Sequence, residues 1–143
     1  MTPREVFLAL VTGVAEGRGP ELADLYAERT HVVHPFHPLR PPAIESRDEL
    51  REHFTPTDES RRLQRTAERI RIHETTDPEV IVAEFEYRGV DTGTGVAFVQ
   101  PAIFVLRVRD GKIVESRDYF DHLSTARSRG QLDSLLAALE ART

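Results

Sequence analysis

Asp110-Gly111-Lys112-Ile113-Val114-Glu115-Ser116-Arg117-Asp118-Tyr119-Phe120-Asp121 is the stretch that decides the fold. Asp-Gly at 110–111 is a tight-turn dipeptide, since both residues tolerate positive φ, and the β-branched and aromatic residues after it read as a strand. If Asp118 faces inward, strand alternation turns Val114, Ser116 and Phe120 inward with it and sends Glu115, Arg117 and Tyr119 outward. The opposite parity buries Arg117 and Glu115. Just before the turn, Val96 to Val108 is apolar on both faces, the pattern of a strand in the middle of a sheet covered on each side.

Working back toward the N-terminus, Ile81, Ala83, Phe85 and Tyr87 alternate with Val82, Glu84 and Glu86, and Ile70 and Ile72 alternate with Arg69, Arg71 and His73. These are half-buried antiparallel strands. Before Pro56 the period changes. Val6, Phe7, Leu10, Val11 and Val14 form one helical face that stops near Gly17 to Pro20, and Leu22, Leu25 and Tyr26 share a face in a second short helix. Thr30, Val32 and Val33 predict a short strand running into His34-Pro35. Ser46 and Glu49 form a capping-box pattern for a third helix with Leu50 and Phe54 on its buried side. Leu132, Leu135, Leu136 and Leu139 close the chain as an amphipathic helix.

Helices first and long antiparallel strands after them predict an α+β fold, in which a curved sheet wraps the N-terminal helices around a ligand-sized hollow. At 143 residues the chain reads as one domain over 1–143. Nineteen basic against twenty-four acidic side chains give a net charge of −5, which disfavours nucleic acid as a partner. The absence of cysteine excludes disulfides, thiolate metal sites and a cysteine nucleophile. No stretch approaches the ~18 apolar residues of a membrane span, and Met1 to Gly13 carries Arg4 and Glu5, so a cytoplasmic protein with no membrane partner is expected. No helix is evidently left over to cover the outer face of the Val96–Val108 strand, which predicts a homodimer through the sheet.

The 110–121 run, the order of elements and Val33-His34-Pro35 together resemble the nuclear-transport-factor-2-like superfamily, in its SnoaL-like and ketosteroid-isomerase-like branch. Arg117-Asp118-Tyr119-Phe120-Asp121 is also similar to the last strand of limonene-epoxide hydrolases. The resemblance implies a cone-shaped (cystatin-like) fold with a pocket inside, and activities ranging from isomerase, cyclase and hydrolase to plain ligand binding. It implies that Asp118 handles a proton. His34 stands where the isomerases carry a catalytic aspartate before a proline, and imidazole keeps that capability. The isomerases' oxyanion donors are not matched, because Leu10 and Ala102 or Ile103 fall at those positions. The hydrolases' central-strand pair falls near Phe85 and Tyr87 and is not matched either.

Asp118 and His34 are therefore the candidate catalytic pair. Tyr26, Phe36, Phe54, Phe85, Tyr87, Phe98, Ala102 and Phe120 are expected as pocket wall, with Gln100 and Ser116 as polar liners. Asp118 could instead pair with an arginine, and His34 could simply cap its strand. No cofactor is expected, and no metal, since His31 and His34 face opposite ways in an extended segment and His37 adds no carboxylate. Arg61, Arg62, Arg65, Arg69 and Arg71, interleaved with Glu59, Glu68 and Glu74, read as a solvated face. Asp121 and His122 read as turn residues, and Pro35 to Pro42 as a stiff loop at the pocket mouth. The expected function is that of a cofactor-independent acid/base isomerase, cyclase or hydratase/hydrolase acting on an apolar carbonyl or epoxide compound. A non-catalytic, homodimeric hydrophobic-ligand module is the alternative.

Overall fold

The computed structural model describes residues 1–142. Helix α1 spans Pro3–Ala15, with Thr2 and Glu5 closing a reciprocal cap. The expected second helix is a 3-10 turn over Pro20–Leu25, and Tyr26 already belongs to strand β1, Tyr26–Val33. A short β2, Ile44–Ser46, leads into α2, Arg47–His53, where Ser46 accepts from the Glu49 amide. A single turn, α3 at Asp58–Arg61, precedes β3 (Leu63–Glu74), β4 (Val80–Asp91), β5 (Val96–Arg109) and β6 (Lys112–Phe120). Helices α4, His122–Ser128, and α5, Leu132–Ala141, complete the chain.

All six strands form one sheet in the order β2-β1-β6-β5-β4-β3. β3 to β6 pair antiparallel, and β1 lies parallel to β6. The β5–β6 hairpin turns at Asp110 and Gly111, with φ of 52° and 75°, and Arg109 pairs with Lys112. This mixed α+β architecture is the one expected. The inner face of the sheet is packed by α1, whose Phe7 ring meets Phe85 and Phe104 edge-on at 5.3 and 6.1 Å.

Burial varies along that inner face. On β5, Ala102, Phe104, Leu106 and Val108 are buried, whereas Phe98 and Gln100 are half-buried. The sheet is therefore packed solid at one end and opens toward solvent at the other.

Two bulges change which side chains face inward. Between β5 and β6 the register slips, so that Arg107 faces Glu115 while Val108 faces Ile113. Val114 is the extra residue. Ile113 is fully buried and Val114 only half-buried, which corrects the inward placement of Val114, while Ser116 and Asp118 are buried beyond the slip. A second slip in β3 lies between Glu68 and Arg71, with Arg69 at φ 54°. Ile70 and Ile72 face inward after it, but before it the inward residues are Arg65 and Ala67. Arg65 thus leaves the solvated face to which uninterrupted alternation assigned it.

The outer face of β5 exposes Val99 at 44% and Ile103 at 41%. Helix α5 forms as expected but buries none of its residues, so it does not cover this surface. No helix among the described residues is long and apolar enough to cross a membrane.

Candidate active site

Asp118 sits on β6 opposite Phe104 and is 6% exposed. Burial pushes its carboxyl from an ordinary 3.8 up to about 7, although the hydroxyl of fully buried Ser116 donates to Oδ1 and opposes the rise. No arginine pairs with it among the described residues. His34 is the first residue after β1, and its Nε2 lies 3.8 Å from Asp118 Oδ2, beyond a hydrogen bond but close enough for both atoms to touch one substrate atom. Burial and three neighbouring imidazoles hold His34 down at about 4. At neutral pH the pair is an uncharged imidazole facing a carboxyl that is about half protonated.

The three imidazoles are those of His53, His122 and His37. Long-range packing gathers them. The His34 ring stacks on Phe120 at 6.3 Å and lies 6.1 Å from His53 at the end of α2 and 6.2 Å from His122 at the start of α4. His37, in the loop after β1, packs 4.5 Å from His122. Burial lowers the proton affinity of all three, so the rim of the site is a set of neutral rings. Among the described residues no trio of His, Asp or Glu is disposed to hold a metal ion.

Helix α4, like β2 and α3, is not foreseen in the sequence reading, which takes Asp121-His122 as a turn. Asp121 is in fact its N-cap, accepting from the Ser124 amide, a signal present in the Asp-x-x-Ser spacing. Two buried polar atoms of α4, His122 Nε2 and Thr125 Oγ1, have no hydrogen-bond partner among the described residues, and their i,i+3 spacing sets them on one side of the helix.

The other candidates divide by position. Tyr26 and Tyr87 are buried, and burial, together with the charge of Asp118, raises the proton affinity of both hydroxyls. Phe54 is half-buried against Tyr26 at 6.0 Å, and Phe85 packs edge-on against Tyr87 at 5.2 Å. Ala102 is buried beside Phe120, its partner across the β5–β6 pairing. Gln100 and Phe98 occupy the open end, where Gln100 pairs with Tyr87.

Phe36 is 70% exposed and packs on outward-facing Tyr119 at 5.0 Å. It borders an open groove of about 730 Å³ whose lining also includes Phe85, Ala102, Phe120 and His122 beside Arg71 and Glu84, but not Asp118 or His34. Asp118 is buried and His34 keeps 17% of its side chain exposed, so the pair lies where the core meets the rim.

A curved sheet wrapped on α1, with a buried carboxyl on the last strand and a histidine ending the first, defines a ketosteroid-isomerase-like fold. The SnoaL-like domain matches residues 7–116, and the chain belongs to that family. A Bacillus subtilis protein provisionally designated an isomerase superimposes with a TM-score of 0.79 at 23% identity, over 90% of this chain and 92% of that one. A Catenulispora acidiphila protein with a ketosteroid isomerase-like fold, solved with trimethylamine, gives 0.69 at 21% identity over 91% and 95%. An uncharacterized PhzA/B-like protein of Pseudomonas aeruginosa is 35% identical over 65 residues, 46% of this chain and 46% of its own length, so the match spans about half of that relative.

Proposed function

We propose that the protein is a cofactor-independent acid/base enzyme, an isomerase, cyclase or hydratase/hydrolase, acting on an apolar small molecule that carries a carbonyl or an epoxide. The observation that carries this reading is the 3.8 Å approach of His34 to Asp118 at the boundary between core and rim. Asp118, protonated up to about pH 7, gives its proton to the carbonyl or epoxide oxygen, while neutral His34 takes one from carbon or from water. The stacked Phe120 ring fixes the imidazole, and the free His122 Nε2 and Thr125 Oγ1 bond a polar group of the substrate. Tyr26, Phe54, Phe85, Tyr87, Phe98 and Ala102 supply the apolar wall. Membership of the SnoaL-like family and the isomerase designation of the Bacillus subtilis neighbour support this chemistry. A cytoplasmic homodimer, joined through the outer face of the sheet, belongs to the same proposal.

The experiment starts with native mass spectrometry of the purified protein, to identify a co-purifying molecule and choose carbonyl and epoxide substrates. Turnover should depend on both residues, with Asp118→Asn and His34→Gln each lowering kcat by about 10²-fold or more. Activity should decline above about pH 7, where Asp118 loses its proton, and below about pH 4, where His34 gains one. Full turnover by folded Asp118→Asn would remove the assignment. Non-catalytic ligand binding is the second reading, favoured by the closed packing around Asp118, and under it both variants bind and neither they nor the wild type turns anything over.

A further inference from the structure

We infer that helix α5 is a latch on the candidate site. Docked, it holds the loop between β1 and β2 against the histidine rim; released by hinging at Gly130, it frees that loop and lets a ligand reach His34 and Asp118. The inference deepens the acid/base reading and takes its purpose from it, because a carboxyl only 6% exposed cannot meet a substrate until something moves. The elements around the pair differ in how firmly they are held. Helix α1 buries Val6, Phe7, Leu10 and Val11, and α2 buries Leu50. Helix α5 buries nothing. Leu132, Leu135 and Leu139 are half-buried, Leu136 is 44% exposed, and the one element on which α5 packs closely, among the described residues, is α4. Ten residues are too few for a free helix to persist in water, so α5 keeps its form only while docked.

Polar contacts tie the two ends of α5 to opposite sides of the sheet. At its start the Gln131 amide donates to Glu59 at 2.6 Å, and Arg129 lies 3.5 Å from the same carboxylate. Glu59 belongs to α3, the turn that leads into edge strand β3. Past its end Arg142 donates to the Leu39 carbonyl, in the loop between β1 and β2. From β3 to β1 is four strand spacings, about 19 Å, and Gln131 to Arg142 measures about 17 Å along a helix, so α5 reaches across that width. Gly130, at φ 68°, forms the joint between α4 and α5. The loop that Arg142 grips begins with His34 and is folded on itself: the His37 amide donates to the His34 carbonyl, the Arg40 amide to the His37 carbonyl, and the Leu39 amide to His37 Nδ1. Two ring contacts also seat it, Phe36 on Tyr119 and His37 on His122. Loss of the Arg142 bond leaves those rings to hold a turn whose first residue is the candidate base.

Hydrogen exchange read by mass spectrometry on the full chain tests the release. Amides of α5 should exchange about 10²-fold faster than those of α1, and Arg142→Ala or Glu59→Ala should speed α5 about tenfold further without changing α1. Diethyl pyrocarbonate, which labels neutral imidazoles, tests the consequence, with exposed His73 on the outer face as internal control. Labelling of His34 should rise about tenfold in Arg142→Ala, return toward wild type in Arg142→Lys, which keeps a donor, and leave His73 unchanged. The chain has no cysteine, so Leu39→Cys with Arg142→Cys, joined by a short bis-maleimide, should fasten the latch and slow His34 labelling below wild type. Neither measurement needs turnover, so the latch stands or falls separately from the acid/base reading, which Asp118→Asn tests. Exchange of α5 in step with α1, or His34 labelling that neither Arg142→Ala nor the cross-link alters, would overturn the inference.

Discussion

Replacing Asp118 by asparagine should stabilise the protein at alkaline pH and not at acid pH, and the size of the effect follows from the burial of one carboxyl. The group takes up its proton at about 7 in the folded chain against an ordinary 3.8 when unfolded. Between those values the folded state holds the extra proton, so wild-type stability falls as pH rises, and it levels off above pH 7 where both states have lost it. From pH 5 to pH 8 the loss is about two pH units at 1.36 kcal/mol each, or about 3 kcal/mol. Asparagine keeps the shape and can still accept from Ser116, but it never ionises. His34 titrates in both proteins and cancels in the difference. Urea unfolding at the two pH values should therefore show the advantage of Asp118→Asn over wild type growing by about 3 kcal/mol, or about 1.5 M in midpoint for a slope of about 2 kcal/mol/M. Parallel pH dependences of the two proteins would refute the buried carboxyl, and with it the acid proposed for catalysis.

His34 should show the opposite dependence. Its imidazole is held at about 4 against an ordinary 6.5, so the unfolded chain binds more protons in that window and wild-type stability falls as pH drops from 6.5 to 4. His34→Gln removes this loss and should gain about 2 kcal/mol on wild type between pH 7.5 and pH 4.5 after allowance for its partial exposure, as read by urea melts. Gly89→Ala should cost about 3 kcal/mol or more in chemical denaturation, because a Cβ there would lie 1.9 Å from the Gln64 carbonyl oxygen on β3. A cost under about 1 kcal/mol would contradict the close approach of β3 and β4. Sedimentation velocity should find wild type dimeric at micromolar concentration and Ile103→Glu a folded monomer, since Val99 and Ile103 form the apolar outer face of β5; a wild-type monomer would rule out that interface.

The parts of this molecule that the sequence states openly are those set by neighbours along the chain. Asp110-Gly111 requires positive φ, and the structure supplies it; the five apolar residues of α1 share a face because a helix puts them there. What the sequence withholds is set by neighbours across the sheet. Asp118 and Ser116 face inward as alternation from the C-terminal end demands, yet counting back two more residues fails at Val114, because β6 inserts one residue against β5. A slip of the same kind in β3 changes the side on which an arginine lies. Counted from Ile70 and Ile72, Arg65 belongs outside with Arg69 and Arg71, and it passes for one more charge on a wet surface. Only the pairing with β4 reveals the inserted residue, and only then does Arg65 come to lie over Tyr87. The histidine rim is hidden for a related reason. His34, His53 and His122 are spread over 89 positions of sequence and meet because the ends of β1 and α2 lie beside the start of α4, which no local pattern records. A face assigned by alternation therefore holds only as far as the nearest bulge, because one extra residue moves every side chain beyond it to the other side of the sheet.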